Sequence, residues 1–338
     1  MPIRNALHQL LERQDLSRSA MREAMQQIMV GACDDIQIAA FLVALRMKGE
    51  TIDEITAAAE VMTALSNQVE IKDRNLIDIV GTGGDGTSTF NVSTAAAFVA
   101  AGAGCAVAKH GNRSVSSKSG SADLLEAAGA KLDLSSTQVV EVIKQAGVGF
   151  MFAPMHHSAM RHAIAARKAL SARTIFNVLG PLCNPANVKR QVVGVYKSEL
   201  TQLLAHVFAQ LGSVHTLVVH SDDGMDELSI CAPSTVSELR DGQVETYTIE
   251  PEQFGLRRAQ LSELVVQGPD QSLLKIDRIL NGDQGASRDI VVLNAAAGIY
   301  VAGLATSLQE GVEAAQSAID SGKALAAKES YIKATQDS

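Results

Sequence analysis

The sequence predicts an α/β protein: a small all-helical N-terminal domain, then a larger α/β domain with a central, mostly parallel, helix-covered sheet. Three observations carry that expectation. Apolar residues in the first seventy positions recur at helical spacing, with no strand-like run among them. From residue 76 onward, short β-branched runs alternate with helical stretches, the pattern of a parallel sheet. The junctions after two of those runs are rich in glycine, or in serine and fixed positive charge, where α/β proteins hold anions.

Composition narrows the function classes. Of 338 residues 46% are apolar and 20% charged, which is globular rather than disordered material. With no Trp and 4% aromatics, the interior must be Ala, Val, Leu, Ile and Met. A formal charge of −8 argues against a general binder of nucleic acid or anionic membrane. Cys33, Cys105, Cys183 and Cys231 are far apart and form no Cys-x-x-Cys pair, which points to buried thiols in a reducing, cytoplasmic compartment. The first residues lack the apolar stretch of a signal peptide. Phe90 to Ala108 is free of charge, but its Asn, Ser, Thr and Gly residues fit a buried helix, a turn and a buried strand better than a membrane span.

Residues 1–70 are expected to be helical. Met21, Met25, Ile28 and Met29 form one stripe, and Ile38, Phe41, Leu42 and Leu45 another. Thr51-Ile52-Asp53-Glu54 is a capping box opening a helix with Ile52, Ile55, Ala59 and Met62 on one face. Four short helices make a thin core, so they should pack on something else, a second subunit being one option. Leu76 to Val80 then reads as a strand entering Gly81-Thr82-Gly83-Gly84-Asp85-Gly86. That glycine loop fits neither the dinucleotide pattern nor the P-loop, yet it leads to Asn91-Val92-Ser93-Thr94 and an Ala-rich helix, an anion site by geometry and dipole.

Cys105 to Ala108 reads as a strand entering Lys109 to Ser121, a loop with Lys109, Arg113 and Lys118, five serines, two glycines and no acid. Such a loop suits a multiply charged oxyanion such as phosphate. Ser119 and Ser121 are expected to cap a short helix ending at Gly129, and Ser135 one ending near Ala146. Val148 to Phe152 reads as a strand. Pro154 to Leu170, with His156, His157, Arg161, His162, Arg167 and Lys168, reads as a solvated helix face, and Asn177 to Pro185 as a proline-punctuated turn where the chain crosses between domains. Gln191 to Val195 and Thr216 to His220 are strands flanking a helix from about Ser198 to Leu211. After the second strand come Asp226 and Glu227, whose carboxylates suit a hard cation. Residues 228–250 suggest short strands turning at Asp241-Gly242, and 285–321 Ala-rich helix covering the sheet.

Together these segments resemble the anthranilate phosphoribosyltransferase family. The likeness rests on Gly81-Thr82-Gly83-Gly84-Asp85, Asn91-Val92-Ser93-Thr94, Lys109-His110-Gly111-Asn112-Arg113 with its serine tail, Arg173 to Leu182, and Gly224-Met225-Asp226-Glu227, in the family's order. Ser158 and Ser171-Ala172 depart from the family's usual residues. The resemblance implies a helical domain at 1–70 and an α/β donor-binding domain at 71–338, a crossing segment near 165–190 joining them. It implies transfer of the phosphoribosyl group of 5-phosphoribosyl 1-diphosphate to anthranilate in tryptophan biosynthesis, by a homodimer formed through the helical domain. By resemblance, Gly81, Gly84, Asp85, Thr89, Asn91, Val92, Ser93, Thr94, Lys109, His110, Gly111, Asn112, Arg113, Ser114, Val115, Ser116, Ser117 and Ser121 surround the donor. Ser93, Asp226 and Glu227 would hold Mg²⁺. Gly81, His110, Asn112, Pro154 and Arg167 would meet anthranilate, with Lys109, Asn112 and Arg167 central to catalysis. A pyrimidine-nucleoside phosphorylase would share the fold and a glycine loop, but the acidic pair and long serine loop favour a diphosphate donor. A non-catalytic nucleic-acid-binding relative would need a basic surface that this chain lacks.

Overall fold

The computed structural model describes residues 2–72, 75–114 and 118–338. Four helices come first, α1 (Pro2–Leu11), α2 (Arg18–Met29), α3 (Asp35–Lys48) and α4 (Ile52–Ala64). Their starts are set by side chains: Ser17 caps α2, Asp34 with Gln37 boxes α3, and Thr51 with Glu54 boxes α4 as expected. The predicted stripes are the buried faces, Met21, Met25, Ile38, Phe41, Leu42 and Leu45 having no exposed surface. Each such side chain contributes roughly 1.5–3 kcal/mol over its exposed state. Glu54 is fully buried and satisfied, accepting from Lys48 Nζ at 2.8 Å and the Leu16 amide at 2.8 Å. These helices pack on their own chain: Ala163, Ala166, Phe176, Leu179, Leu182 and Phe208 share their core.

Among the described residues the remainder is built on seven strands, β1 (Leu76–Gly81), β2 (Ala106–Gly111), β3 (Val148–Phe152), β4 (Arg190–Gly194), β5 (His215–Ser221), β6 (Ser234–Arg240) and β7 (Gln243–Ile249). They lie in the order β3-β2-β1-β4-β5-β6-β7, parallel from β3 to β5 and antiparallel over the last two pairs. Helix α5 (Val92–Gly102) follows β1, and α6 (Ser121–Ala127) and α7 (Ser136–Ala146) link β2 to β3. Next come α8 (Ala153–His156), α9 (Ile164–Leu170) and α10 (Phe176–Leu182), then α11 (Glu199–Gln210) between β4 and β5. The chain closes with α12 (Pro269–Leu280), α13 (Ala286–Ala302), α14 (Leu308–Asp320) and α15 (Lys323–Gln336). Helices α5 and α13 are Ala-rich and buried almost all round, which lets them lie flat on the sheet. Among the described residues no helix is long and apolar enough to cross a membrane.

Strand pairing is uneven where it matters. β1 and β4 stay in register from Ile77↔Arg190 to Gly81↔Gly194, whereas β1 and β2 pair only at Leu76↔Ala106 and Ile77↔Val107. Beyond that point β1 and β2 part.

Four local expectations are corrected. β2 continues through Lys109, His110 and Gly111, so the first residues of the expected loop are strand. Pro154 to Leu170 is no continuous helix: α8, a 3₁₀ turn over Ser158–His162 and α9 divide it, and His156 and His157 are buried at 2% and 7% exposure. Asn177 to Leu182 lies in a helix, with Pro181 in its last turn, where the ring has no N–H to give to the turn before it. Helix α6 starts without a serine cap, because the Asp123 carboxylate reaches back to the Gly120 and Ser114 amides, both at 2.9 Å.

Candidate active site

The carboxyl ends of β1 and β4 form the floor of a cleft, and the loop after β5 folds down onto them. Glycine at 81 and 194 makes this possible: a Cβ at Gly194 would overlap the Asp226 carbonyl oxygen, and one at Gly81 the Asp226 carboxylate. Asp226 Oδ2 accepts from the Gly83 amide at 2.7 Å, tying the acidic loop to the glycine loop, where Gly83 and Gly84 take φ of +67° and +78°. Glu227 Oε1 accepts from the Ser93 amide at 3.1 Å in the first turn of α5, and Asn294 of α13 pins the next residue, Leu228, at 3.0 Å. Arg173 closes the rim, donating to the Gly84 carbonyl while its guanidinium lies 4.1 Å over the Tyr196 ring.

Charge is concentrated here and poorly solvated. Burial pushes the Asp226 carboxyl well above the carboxylate range, with Asp85 adding to the shift. Burial, then Asp226, raises Glu227 likewise. Lys109 lies between them and the sheet, 3% exposed, donating to the Ile79 carbonyl at 2.5 Å and to Ser93 Oγ at 3.2 Å. Burial lowers its pKa, opposed by Asp78, Glu227 and Asp226. Crowded carboxylates that raise one another's pKa beside a serine hydroxyl fit a hard divalent cation. Among the described residues no three or more His, Cys, Asp or Glu groups converge into a protein-only cage. That combination suits Mg²⁺, which typically takes one or two carboxylates and completes its shell with water and substrate phosphate.

The other side of β2 is different. Successive strand residues point to opposite faces, so Lys109 and His110 look into different spaces. His110 Nδ1 donates to the Gly180 carbonyl at 3.2 Å, and its ring sits 5.0 Å from that of His157. The Nε2 atoms of both rings are buried without a hydrogen-bond partner. Burial holds His110 down at about 3 and His157 at about 4, so both are neutral at physiological pH. Pro154, on α8 two residues before the buried His156, is itself exposed. Arg167 on α9 is half-buried, 5.2 Å over the Phe176 ring, and has no ion-pair partner among the described residues.

The remaining predicted residues take varied positions. Asn91 is a hub: its Oδ1 accepts from Ser119 Oγ and Ser272 Oγ, both at 2.7 Å, and its Nδ2 donates to the Ser119 carbonyl at 3.0 Å. Val92 and Thr94 are buried in the first turn of α5, Thr94 with an unpartnered hydroxyl. Thr89 bridges to Val265, and Asp85 accepts from Thr87 Oγ1 at 2.5 Å. Asn112 is exposed, its carbonyl meeting Ser121 Oγ and the Ala122 amide at 3.3 Å each. Arg113 is clasped by Glu126 at 2.7 Å and Asp123 at 3.2 Å, so its charge is engaged by α6. Val115, Ser116 and Ser117 lie outside the described residues. Sequence reasoning missed Asp78, Asn184, Arg173, His157 and Ser272. Only Asp78 gave a clear signal, an acid in the middle of the apolar run Leu76 to Val80.

Comparison with known proteins now bears on this cleft. Residues 4–66 match the helical bundle domain, and residues 73–325 the a/b domain, of a glycosyl transferase family. The chain is 54% identical over 330 residues to the anthranilate phosphoribosyltransferase of Hahella chejuensis, covering 96% of this chain and 95% of that one. The chain belongs to the anthranilate phosphoribosyltransferase family. The Thermus thermophilus anthranilate phosphoribosyltransferase superimposes with a TM-score of 0.93 at 41% identity, over 98% of this chain and 99% of that one. The Saccharomyces cerevisiae anthranilate phosphoribosyltransferase, solved in complex with PRPP and Mg, superimposes with a TM-score of 0.91 at 31% identity, over 99% and 98%. A helical domain joined to a larger α/β domain is thus the family's architecture, and the cleft described above belongs to a family of transferases.

Proposed function

We propose that this cleft transfers the phosphoribosyl group of 5-phosphoribosyl 1-diphosphate to the amine of anthranilate, giving N-(5-phosphoribosyl)anthranilate and pyrophosphate, in tryptophan biosynthesis. One observation carries the reading to the residues. A single strand, β2, places a buried lysine beside an acidic pair on one side and a neutral histidine pocket on the other. The first side suits a charged diphosphate with its cation, the second an aromatic ring. The glycine loop (Gly81, Gly84, Asp85), Thr89, Asn91 to Thr94 and the segment from Lys109 to Ser117 with Ser121 are assigned to the donor. The family's yeast member binds PRPP and Mg, and here Ser93, Asp226 and Glu227 are assigned to Mg²⁺. When bound, the ion neutralises charge on the diphosphate leaving group.

This chain's own groups do the rest. As the anomeric C–O bond breaks, positive charge grows on the ribose and negative charge on the pyrophosphate; the Lys109 ammonium and the α5 amides face the latter. The aromatic amine of anthranilate is unprotonated at neutral pH, so its lone pair is available without a strong base. Gly81, His110, Asn112 and Pro154 are assigned to orient the acceptor, and the Arg167 fork to read its carboxylate. Holding amine and anomeric carbon together supplies much of the acceleration. His110 and His157 are too weakly basic to take the proton, which leaves with water.

The boundary near residue 70, with the segment near 165–190 crossing back, is part of the same proposal, as is a cytoplasmic homodimer. Support for the dimer comes from the helical domain, where Ile36 is 81%, Met47 73% and Val30 64% exposed. The test is to mix purified protein with Mg²⁺, anthranilate and donor, and follow anthranilate loss and pyrophosphate release. Equimolar, Mg²⁺-dependent turnover supports the reading. Turnover with inorganic phosphate and a pyrimidine nucleoside instead would replace it.

A further inference from the structure

The parting of β1 from β2 leaves a gap in the middle of the sheet, and polar side chains fill it. Backbone pairing stops at Ile77↔Val107, so the Asp78, Ile79, Ala108 and Lys109 backbones lack the partners a continued ladder would give. Asn184, 4% exposed, enters from the turn after α10 and spans the gap. Its Nδ2 donates to Asp78 Oδ2 at 2.8 Å and to the Ala108 carbonyl at 2.9 Å, while its Oδ1 accepts from the Ala186 amide at 2.8 Å. Asp78 Oδ2 faces the His110 amide at 3.4 Å, and Lys109 Nζ reaches the Ile79 carbonyl at 2.5 Å. The end of α10 that leads into this turn is fastened twice, by His110 Nδ1 to the Gly180 carbonyl at 3.2 Å and by Gln191 Nε2 to the Pro181 carbonyl at 3.0 Å.

Lys109 and His110 therefore stand at the end of a strand that its neighbour does not hold by ordinary pairing. What replaces the ladder is a set of side-chain contacts, in which the buried Asp78–Asn184 pair spans from β1 to the Ala108 carbonyl and Asp78 also meets the His110 amide. We infer that Asp78 and Asn184 are positioning residues of the transfer reaction, acting as a clamp that sets the width of the β1–β2 gap. They touch neither substrate; they fix where Lys109 and His110 point. Because those two residues face opposite sides of β2, one clamp aligns donor and acceptor together. The clamp itself depends on the carboxylate's shape, since an amide oxygen at the same place can accept both bonds; the charge acts separately, on the buried Lys109.

This inference rests on the transferase reading, and the experiment separates the two. Asn184→Ala, Asp78→Ala and Asp78→Asn are assayed with Mg²⁺, donor and anthranilate, far below their unfolding midpoints, with folded protein quantified by near-ultraviolet circular dichroism. Asn184→Ala and Asp78→Ala should each lower kcat about 10- to 100-fold, the scale of a misplacement near 1 Å. The two Michaelis constants should change less. The double alanine variant should lose less than the product of the two single losses, because the two side chains are bonded to each other. Asp78→Asn should be clearly faster than Asp78→Ala, because both hydrogen bonds survive, while staying below wild type because it loses the carboxylate charge facing the buried Lys109. A residue that merely stabilises the fold would lower the unfolding midpoint and leave kcat per folded molecule unchanged, and that result overturns the inference. So does an Asp78→Asn enzyme as slow as Asp78→Ala. Where an alanine variant fails to fold, Asn184→Ser carries the same expectation, because it keeps a polar group but cannot span the gap. Inactive wild-type enzyme would overturn the transferase reading itself; active wild type with normal variants overturns only the clamp.

Discussion

Arg167 offers the sharpest test of how the acceptor is read. Anthranilate differs from aniline by one carboxylate, and Arg167, the residue proposed to read it, is half-buried with no ion-pair partner among the described residues. Burial lowers its pKa without neutralising it, so it presents a charge short of hydration. A charge-assisted hydrogen bond to such a group is worth roughly 1.5–3 kcal/mol, so Arg167→Ala should weaken anthranilate use about 10- to 150-fold. The substitution also removes the contact over the Phe176 ring at 5.2 Å. That contact contributes about 0.5–1 kcal/mol to the fold, too little to mimic the kinetic effect. Arg167→Lys should fall between, keeping charge but losing the planar fork. The assay is the apparent KM of each substrate in wild type and variants. A rise for anthranilate with the donor nearly unchanged supports the reasoning; a loss confined to the donor, or none, refutes it.

Three further outcomes are expected. Asp226→Asn with Glu227→Gln should raise the Mg²⁺ concentration needed for half-maximal activity and slow turnover with the fold intact; an unaltered Mg²⁺ titration would remove this pair from the metal site. Gly194→Ala should displace the Asp226 backbone it would overlap, costing about 1–3 kcal/mol of stability and most Mg²⁺-dependent activity, and an enzyme with wild-type melting and turnover would contradict that packing. His157 is held neutral down to about 4 against an ordinary 6.5, so as pH falls through that window the unfolded chain takes up a proton that the native one refuses. The wild type should therefore lose about 1.4 kcal/mol per pH unit relative to His157→Phe between those values, and denaturant melts at pH 7, 6 and 5 showing a constant difference would count against it.

Elements with strong local signals were legible in the sequence. The Thr51 and Ser135 caps, the Met21 and Ile38 stripes and the runs from Leu76, Val148 and Gln191 each state their structure within a few residues. The glycine loop and the Asp226-Glu227 loop were legible as separate loops at strand ends, but the contact that joins them was not visible in the residues. It depends on Gly194, a residue in a strand whose lack of a side chain matters only because a loop over thirty residues later rests on it. The histidines were misread for a related reason. His156 and His157 sit among Arg and Lys in sequence, while burial decides their character in space, His156 against the Asn67 carbonyl and His157 against Cys183 at the end of α10. The basic loop was read as one oxyanion-binding stretch with all its charges available, yet Lys109 faces the interior and Arg113 is engaged by Asp123 and Glu126. Charge type was visible; which charges stay free was settled by tertiary packing. Ser272, which holds Asn91, gave no signal at all, being one serine in an amphipathic helix.

The account's central claim is that donor and acceptor meet across the end of β2. A crystal of the protein grown with Mg²⁺, 5-phosphoribosyl 1-diphosphate and an anthranilate analogue whose amine is replaced by hydrogen tests it most directly. The account predicts the diphosphate over the glycine loop and the start of α5, the ion beside Asp226 and Glu227, and the analogue's carboxylate on Arg167 with its ring toward His110. An acceptor ring bound away from His110 and Arg167, or a diphosphate remote from the Gly81 loop, would contradict it.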